Sequence, residues 1–170
     1  MATRRRLAHA LAVGGALVLL AGCTPSIDGV VGISRSGSTL RGVIVPCGND
    51  HIEQLHLEEM KDYYSEDRKP ELGSLDRDEP VRDVLEFDLL DPGPDWSGLW
   101  IKELSDLSPG VVYGIQGYGV ARYDHWRTDF TQFTTQSLAE LAEGSWIYRD
   151  PETLDTRTAP SLDRLLEVSC

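Results

Sequence analysis

Leu104-Ser105-Asp106-Leu107-Ser108-Pro109-Gly110-Val111-Val112-Tyr113 is the stretch that decides the fold. Leu104 and Leu107 are three residues apart, so one helical turn sets both on its inner side. Gly110 suits the position just past such a turn, and Val111 to Tyr113 open a strand. An echo follows at a spacing of 34: Leu138-Ala139-Glu140-Leu141-Ala142-Glu143-Gly144-Ser145-Trp146. It again reads as a helical turn with two inward leucines, a glycine and a new strand. Two copies are too few for a solenoid, and they read as one device used twice to enter a strand.

The first copy resembles the E-to-F corner of fibronectin type III and related immunoglobulin-like sandwiches. There a leucine, a Pro-Gly pair and a tyrosine three residues past the glycine carry the chain between sheets. The resemblance implies that Tyr113 is buried with its hydroxyl on backbone a few residues upstream, pinning the crossover. Leu107 would then plug the core below, with Pro109 and Gly110 making the turn. The fold it implies is all-β, an immunoglobulin-like sandwich.

Outward from this corner the signals are mostly of strands. Gly29–Ser34 and Leu40–Pro46 flank the turn Ser36-Gly37-Ser38, and Ile52–Glu58 follows the turn Gly48-Asn49-Asp50. Residues 59–80, EMKDYYSEDRKPELGSLDRDEP, are charged, lack periodicity and contain Pro70, Gly73 and Pro80, which reads as an acidic surface loop. From Val81 to Leu89 the chain alternates: Val81, Leu85, Phe87 and Leu89 oppose Arg82, Glu86 and Asp88, with Asp83 and Val84 breaking the pattern. Asp91-Pro92-Gly93-Pro94 turns the chain ahead of a strand expected around Leu99–Glu103. Further strands are expected over Gly114–Gly119, over Phe130–Thr134 and, as the last, over Trp146–Tyr148. Pro160, Leu162, Leu165, Leu166 and Val168 then mark a short amphipathic helix that closes the chain.

The chain has 170 residues and a formal charge of −12, which disfavours nucleic acid as a partner because phosphates require a basic footprint. Its first residues, MATRRRLAHALAVGGALVLLAGC, place Arg4, Arg5 and Arg6 before an apolar stretch, Leu7–Leu20. That stretch is shorter than the roughly 20 apolar residues a spanning helix needs, and it reads as a signal peptide. Leu20-Ala21-Gly22-Cys23 resembles the lipobox of bacterial lipoproteins. The resemblance implies cleavage after residue 22, acylation of Cys23, a tether over residues 23–28 and a domain over 29–170. The membrane partner would be reached through acylated Cys23, on the outer face of a cytoplasmic membrane or in an outer membrane. An ordinary signal peptide is the alternative. Thr3-Arg4-Arg5-Arg6-Leu7 lacks the serine and following aromatic of a twin-arginine signal, so the export route stays open. Losing residues 1–22 removes three arginines and no acid, so the mature 148 residues would carry −15. Such charge repels anionic headgroups and leaves membrane attachment to the lipid. The mature chain exceeds a single fibronectin-like module by about half.

With Cys23 acylated, Cys47 and Cys170 remain, and in an oxidising compartment two cysteines pair. The alternatives are a buried free Cys47 and a frayed, reactive Cys170. Cys47 and His51 have ligand-like spacing, but no second pair completes a tetrahedral zinc set, and no metal is expected.

Candidate chemistry is sparse. His51 and His56 have opposite parity on a strand and point to opposite faces. His125 follows Asp124, which could orient it, but no nucleophile stands at a defined spacing. The acids Glu58, Glu59, Asp62, Glu66, Asp67, Glu71, Asp76, Asp78 and Glu79 crowd the expected loop without a frame to hold two across a cleft. Asp76-Arg77-Asp78-Glu79 lacks the central glycine and terminal glutamate of a calcium loop. Gly114-Ile115-Gln116-Gly117-Tyr118-Gly119 sits within a strand, where glycines admit a close neighbour rather than cradle phosphate. No catalytic residue and no cofactor is expected.

The aromatics Trp96, Tyr118, Tyr123 and Trp126 fall in or beside loops and are the candidate contacts for a ligand or partner. Trp100 is either one of them or a core tryptophan between the sheets. Gly42–Leu57 (GVIVPCGNDHIEQLHL), the 104–113 corner and FTxxxLAEL at 133–141 together resemble uncharacterised lipoproteins of actinobacteria. That resemblance carries no activity with it. The expected role is a structural or interaction one in the cell envelope, with an envelope protein or polymer as partner. Binding of a small ligand or carbohydrate by the loop aromatics is the alternative.

Overall fold

β1 (Gly29–Ser36) and β2 (Thr39–Pro46) form a hairpin paired along its whole length, from Gly29↔Pro46 to Ser36↔Thr39. Its tight turn holds Gly37 at φ 59°, backbone that favours glycine. The computed structural model describes residues 29–49, 51–60, 71–120 and 125–170, with Glu71, Val120, His125 and Trp126 in backbone only. The expected signal peptide and tether, with Cys23, lie outside the described residues.

After the hairpin come β3 (Ile52–Met60), β4 (Glu71–Val81), β5 (Leu85–Asp88), β6 (Trp96–Leu99) and β7 (Val112–Val120). β8 (His125–Arg127), β9 (Thr131–Phe133), α1 (Thr135–Glu140), β10 (Trp146–Arg149), β11 (Thr156–Ala159) and α2 (Leu162–Val168) complete the order. One sheet runs β11-β10-β1-β2-β5; the other runs β6-β4-β3-β7-β8, with β9 also on β7. The fold is an all-β sandwich of two antiparallel sheets with a short C-terminal helix. Hairpin β1–β2 lies in one sheet and hairpin β3–β4 in the other. β5 returns to β2 and β7 returns to β3, the connection of an immunoglobulin-like sandwich. β6 beyond β4, and β10 with β11 beyond β1, account for the extra length.

Alternation fills the space between the sheets. Val31, Ile33, Ile44, Leu55, Leu57, Leu75, Phe87, Ile115 and Ile147 all face one core. The crossover between sheets expected at 104–113 is not there: β6 and β7 belong to the same sheet, and this segment carries the chain across its end from the outer strand β6 to β7. Leu107 and Tyr113 are buried there, and the Tyr113 hydroxyl accepts the Ser108 N–H at 2.6 Å. A polar strut joins the sheets further along: the Thr131 hydroxyl donates to the Val31 carbonyl and accepts the Arg149 N–H. Arg149 also pairs with Asp129 at 3.2 Å.

Three further expectations are corrected. Residues 71–80 are not loop but most of β4, paired with β3 on one side and β6 on the other. The charges hid a one-sided strand: Leu75 and Val81 enter the core, and Gly73 lies where a Cβ would strike the Trp100 ring. Pro80 is tolerated because the β3–β4 register shifts between Ile52 and Gln54, so it falls in a bulge. The acidic reading of 61–70 lies outside the described residues. The strand expected near 99–103 is instead β6 at 96–99. The Asp106 carboxylate takes the backbone N–H groups of Lys102 and Glu103, leaving no ladder there. β10 is not the last strand, since β11 pairs with it from Trp146↔Ala159 to Arg149↔Thr156.

β1 is buried on both faces because a second apolar layer covers the outside of its sheet. Val30, Val43, Val45, Trp146, Tyr148 and Ala159 meet Leu165 of α2, flanked by Leu162 and Val168. α2 is capped at its start by Ser161, whose hydroxyl accepts the Arg164 N–H. A helix of seven residues is marginal alone, so its docking holds it. The Cys47–Cys170 disulfide fastens its end to the end of β2, with the two Cα atoms 5.6 Å apart.

A disulfide with sequence separation 123 stabilises by on the order of 4–5 kcal/mol through loop closure. Denatured, unreduced protein should show no titratable thiol at Cys47 or Cys170. Reduction should lower the melting temperature and red-shift the fluorescence of Trp146 as α2 leaves it. Two free thiols in protein isolated from an oxidising compartment would contradict the pairing.

Candidate functional site

The two outer sheet faces differ. α2 covers the face carrying Val43 and Trp146, whereas among the described residues no helix lies over the outer face of the β6-β4-β3-β7-β8 sheet. Register builds that open face from two rows. Across the strands, Ser97, Asp76, Gln54, Tyr118 and Arg127 form one row, and Leu99, Ser74, His56 and Gln116 form the next.

Tyr118 and His56 pack edge to face in the middle, with ring centroids 4.6 Å apart. The Tyr118 hydroxyl donates to the Gln116 side-chain oxygen, and the Gln116 amide donates to the Thr128 carbonyl. Gln116 is itself buried, so this bond fixes the tyrosine from beneath. Gln54 donates to Asp76 at 2.7 Å. At the sheet edge Leu99 is 73% exposed, the most exposed of the large apolar side chains described. Aromatic, imidazole, amide and apolar groups thus share one sheet face, a mixture also found in protein interfaces.

The expected site residues separate into three places. Cys47 and Cys170 form the disulfide at the end where the described chain begins. Leu107, Pro109, Gly110 and Tyr113 form the turn into β7 at the other end, with Gly110 at φ 78°. Of the candidate contact aromatics whose side chains are described, Tyr118 is on the open face and Trp96 is not. Trp96 is a correction: at 7% exposure it is core, tilted against Phe87 with the Arg77 guanidinium 5.5 Å from its ring centre. Trp100 also turns inward, donating its indole N–H to the Leu89 carbonyl at 2.6 Å. Tyr123 and Asp124 lie outside the described residues, as do the side chains of His125 and Trp126.

His51 is buried beside Glu53, with Nε2 3.1 Å from the carboxylate. Among the described residues no group of three His, Cys, Asp or Glu side chains could hold a metal ion. No described helix is long and apolar enough to cross a membrane. The sequence reading missed Leu99 and the pairing of His56 with Tyr118. Nothing in a four-residue strand marks an exposed leucine, and the pairing depends on a register that spans 60 residues.

Compared with protein-family models, curated proteins and solved structures, the chain matches none.

Two carboxylates titrate below their ordinary range. The backbone N–H groups of Lys102 and Glu103 hold Asp106 down, and that of Thr153, with Glu152 and Arg157, holds Asp150 down. A depressed folded pKa gives stability that is present above about pH 4 and is lost as pH falls through the folded value. Between pH 5 and pH 2.5 the urea midpoint should therefore fall further for the parent than for Asp106→Asn/Asp150→Asn, which keeps the shapes without titrating. Parallel pH profiles would contradict this.

Proposed function

We propose that this protein is a non-catalytic, lipid-anchored member of the cell envelope that binds an envelope protein through the open outer face of its β6-β4-β3-β7-β8 sheet. The observation that carries the reading is the asymmetry of the two outer faces. One is sealed by α2 and a disulfide. The other presents the Tyr118–His56 pair, Leu99 and the Gln54 amide, held by Asp76, to solvent.

The anchor in this proposal is Cys23, acylated as in the lipoproteins of actinobacteria that the chain resembles. Six residues, 23–28, separate it from β1, a reach of about 20 Å at full extension. The domain would stay close to the bilayer, with Gly29 and the disulfide nearest the membrane. β1 runs away from that end for eight residues, roughly 25 Å, so the corner at 104–113 would be the far pole. A negative domain surface keeps the sheet faces off anionic lipid and free for a protein.

The alternative, small-ligand or carbohydrate binding by loop aromatics, is not favoured by Trp96 and Trp100, which pack inward.

Cys23→Ser should yield an unprocessed or shed protein without acyl mass. Unchanged membrane fractionation, with an unmodified N-terminus in the parent, would overturn the anchor. Crosslinking of the native protein in its own membranes should give a discrete protein adduct that is lost in Leu99→Asp/Tyr118→Ala. An adduct retained in that variant, or none in the parent, would overturn the proposed face.

A further inference from the structure

The two helical turns that share a sequence pattern, 34 residues apart, lie next to one another at the end of the sandwich where β1 meets β2. Between them is a groove of about 410 Å³. Leu104, Leu107 and Pro109 of the first copy line it together with Leu138 and Ala139 of the second, and its polar lining is Arg35 from the end of β1 with Ser105 and Thr135. The repeated device therefore enters two strands and also builds a largely apolar pocket of ligand-binding size.

Arg35 gives the pocket its selectivity. Three described arginines are half-buried: Arg35, Arg77 and Arg149. Arg77 pairs with Asp95 and Arg149 with Asp129. Among the described residues Arg35 has no carboxylate partner, in a chain of net charge −12. Its Nε donates to the Gly37 carbonyl at 2.9 Å, which orients the guanidinium. The acids near the groove are engaged with their own donors. Glu103 accepts the Ser105 hydroxyl, Asp106 accepts two backbone N–H groups, and Glu140 accepts the Gln136 amide. A half-buried guanidinium left without an anion favours one brought by a ligand, and its planar fork matches a carboxylate.

We propose that this groove binds a fatty carboxylate, with the headgroup on Arg35 and the chain against Leu104, Leu107 and Leu138. The site is separate from the open sheet face and does not depend on it.

The test is calorimetric titration of the mature protein with decanoate, kept below its micellar concentration, beside decanol of the same chain length. Decanoate should bind, and decanol about tenfold or more weakly, the value of a charge-assisted pair. Arg35→Gln should lose the same factor while retaining the parent melting temperature. Ala139→Glu, at an exposed helix position lining the groove, should abolish binding. Lack of decanoate binding would overturn the proposal, as would equal affinity for decanol or unchanged binding by either variant. Tighter binding of a short peptide ending in a leucine carboxylate would also overturn it, and would assign the groove to a protein terminus.

Discussion

The Tyr113 hydroxyl accepting the Ser108 N–H is the contact on which the remaining architecture depends. It closes the turn that carries the chain from β6 to β7 across the end of their sheet, where a chain leaving the β-ladder would otherwise leave a backbone donor without a partner. With that donor satisfied, Leu107 is held down in the core and Tyr113 lies on Phe133, ring centres 5.8 Å apart. β7 can then run straight through the centre of its sheet, pairing with β3, β8 and β9. The same corner supplies Leu104, Leu107 and Pro109 to the terminal groove. One polar bond thus sets the sheet that carries the open face and one wall of the proposed ligand site.

The molecule has two unlike ends. At one, α2 and the disulfide cover the outer face of the β1 sheet, so a strand buried on both sides never meets water. At the other, the 104–113 turn and α1 leave apolar side chains around the Arg35 guanidinium, which has no carboxylate partner among the described residues. β1 connects them, with Arg35 at one extremity and Gly29, opposite Pro46, at the other. A tether at the Gly29 end would put structural reinforcement near the membrane and binding surfaces away from it.

Much of this was legible in the sequence because its signals were local. The hairpin around Gly37, the corner at 104–113, the helix over Leu162–Val168 and the pairing of two remaining cysteines need only spacing and residue type. β4 was not legible, because charges on its outer side and Pro80 in a bulge imitate a loop. β11, with three exposed residues of four, offers no apolar pattern to read. The open face was the least visible. Its rows unite residues 54–56, 74–76, 97–99, 116–118 and 127, which only strand register brings together. Tyr118 was recognised as an aromatic, but its partner His56 was not. Trp96 was misplaced because a buried and an exposed tryptophan beside a turn look alike in sequence.

The central claim, that the corner hydroxyl organises the sandwich, is tested most directly by the unfolding free energy of Tyr113→Phe in urea. The substitution removes one oxygen and keeps the ring, so its cost isolates the bond to Ser108. The account predicts a loss of roughly 1–3 kcal/mol with an unchanged denaturant slope. A loss below about 0.5 kcal/mol, within the range of an ordinary surface change, would contradict it.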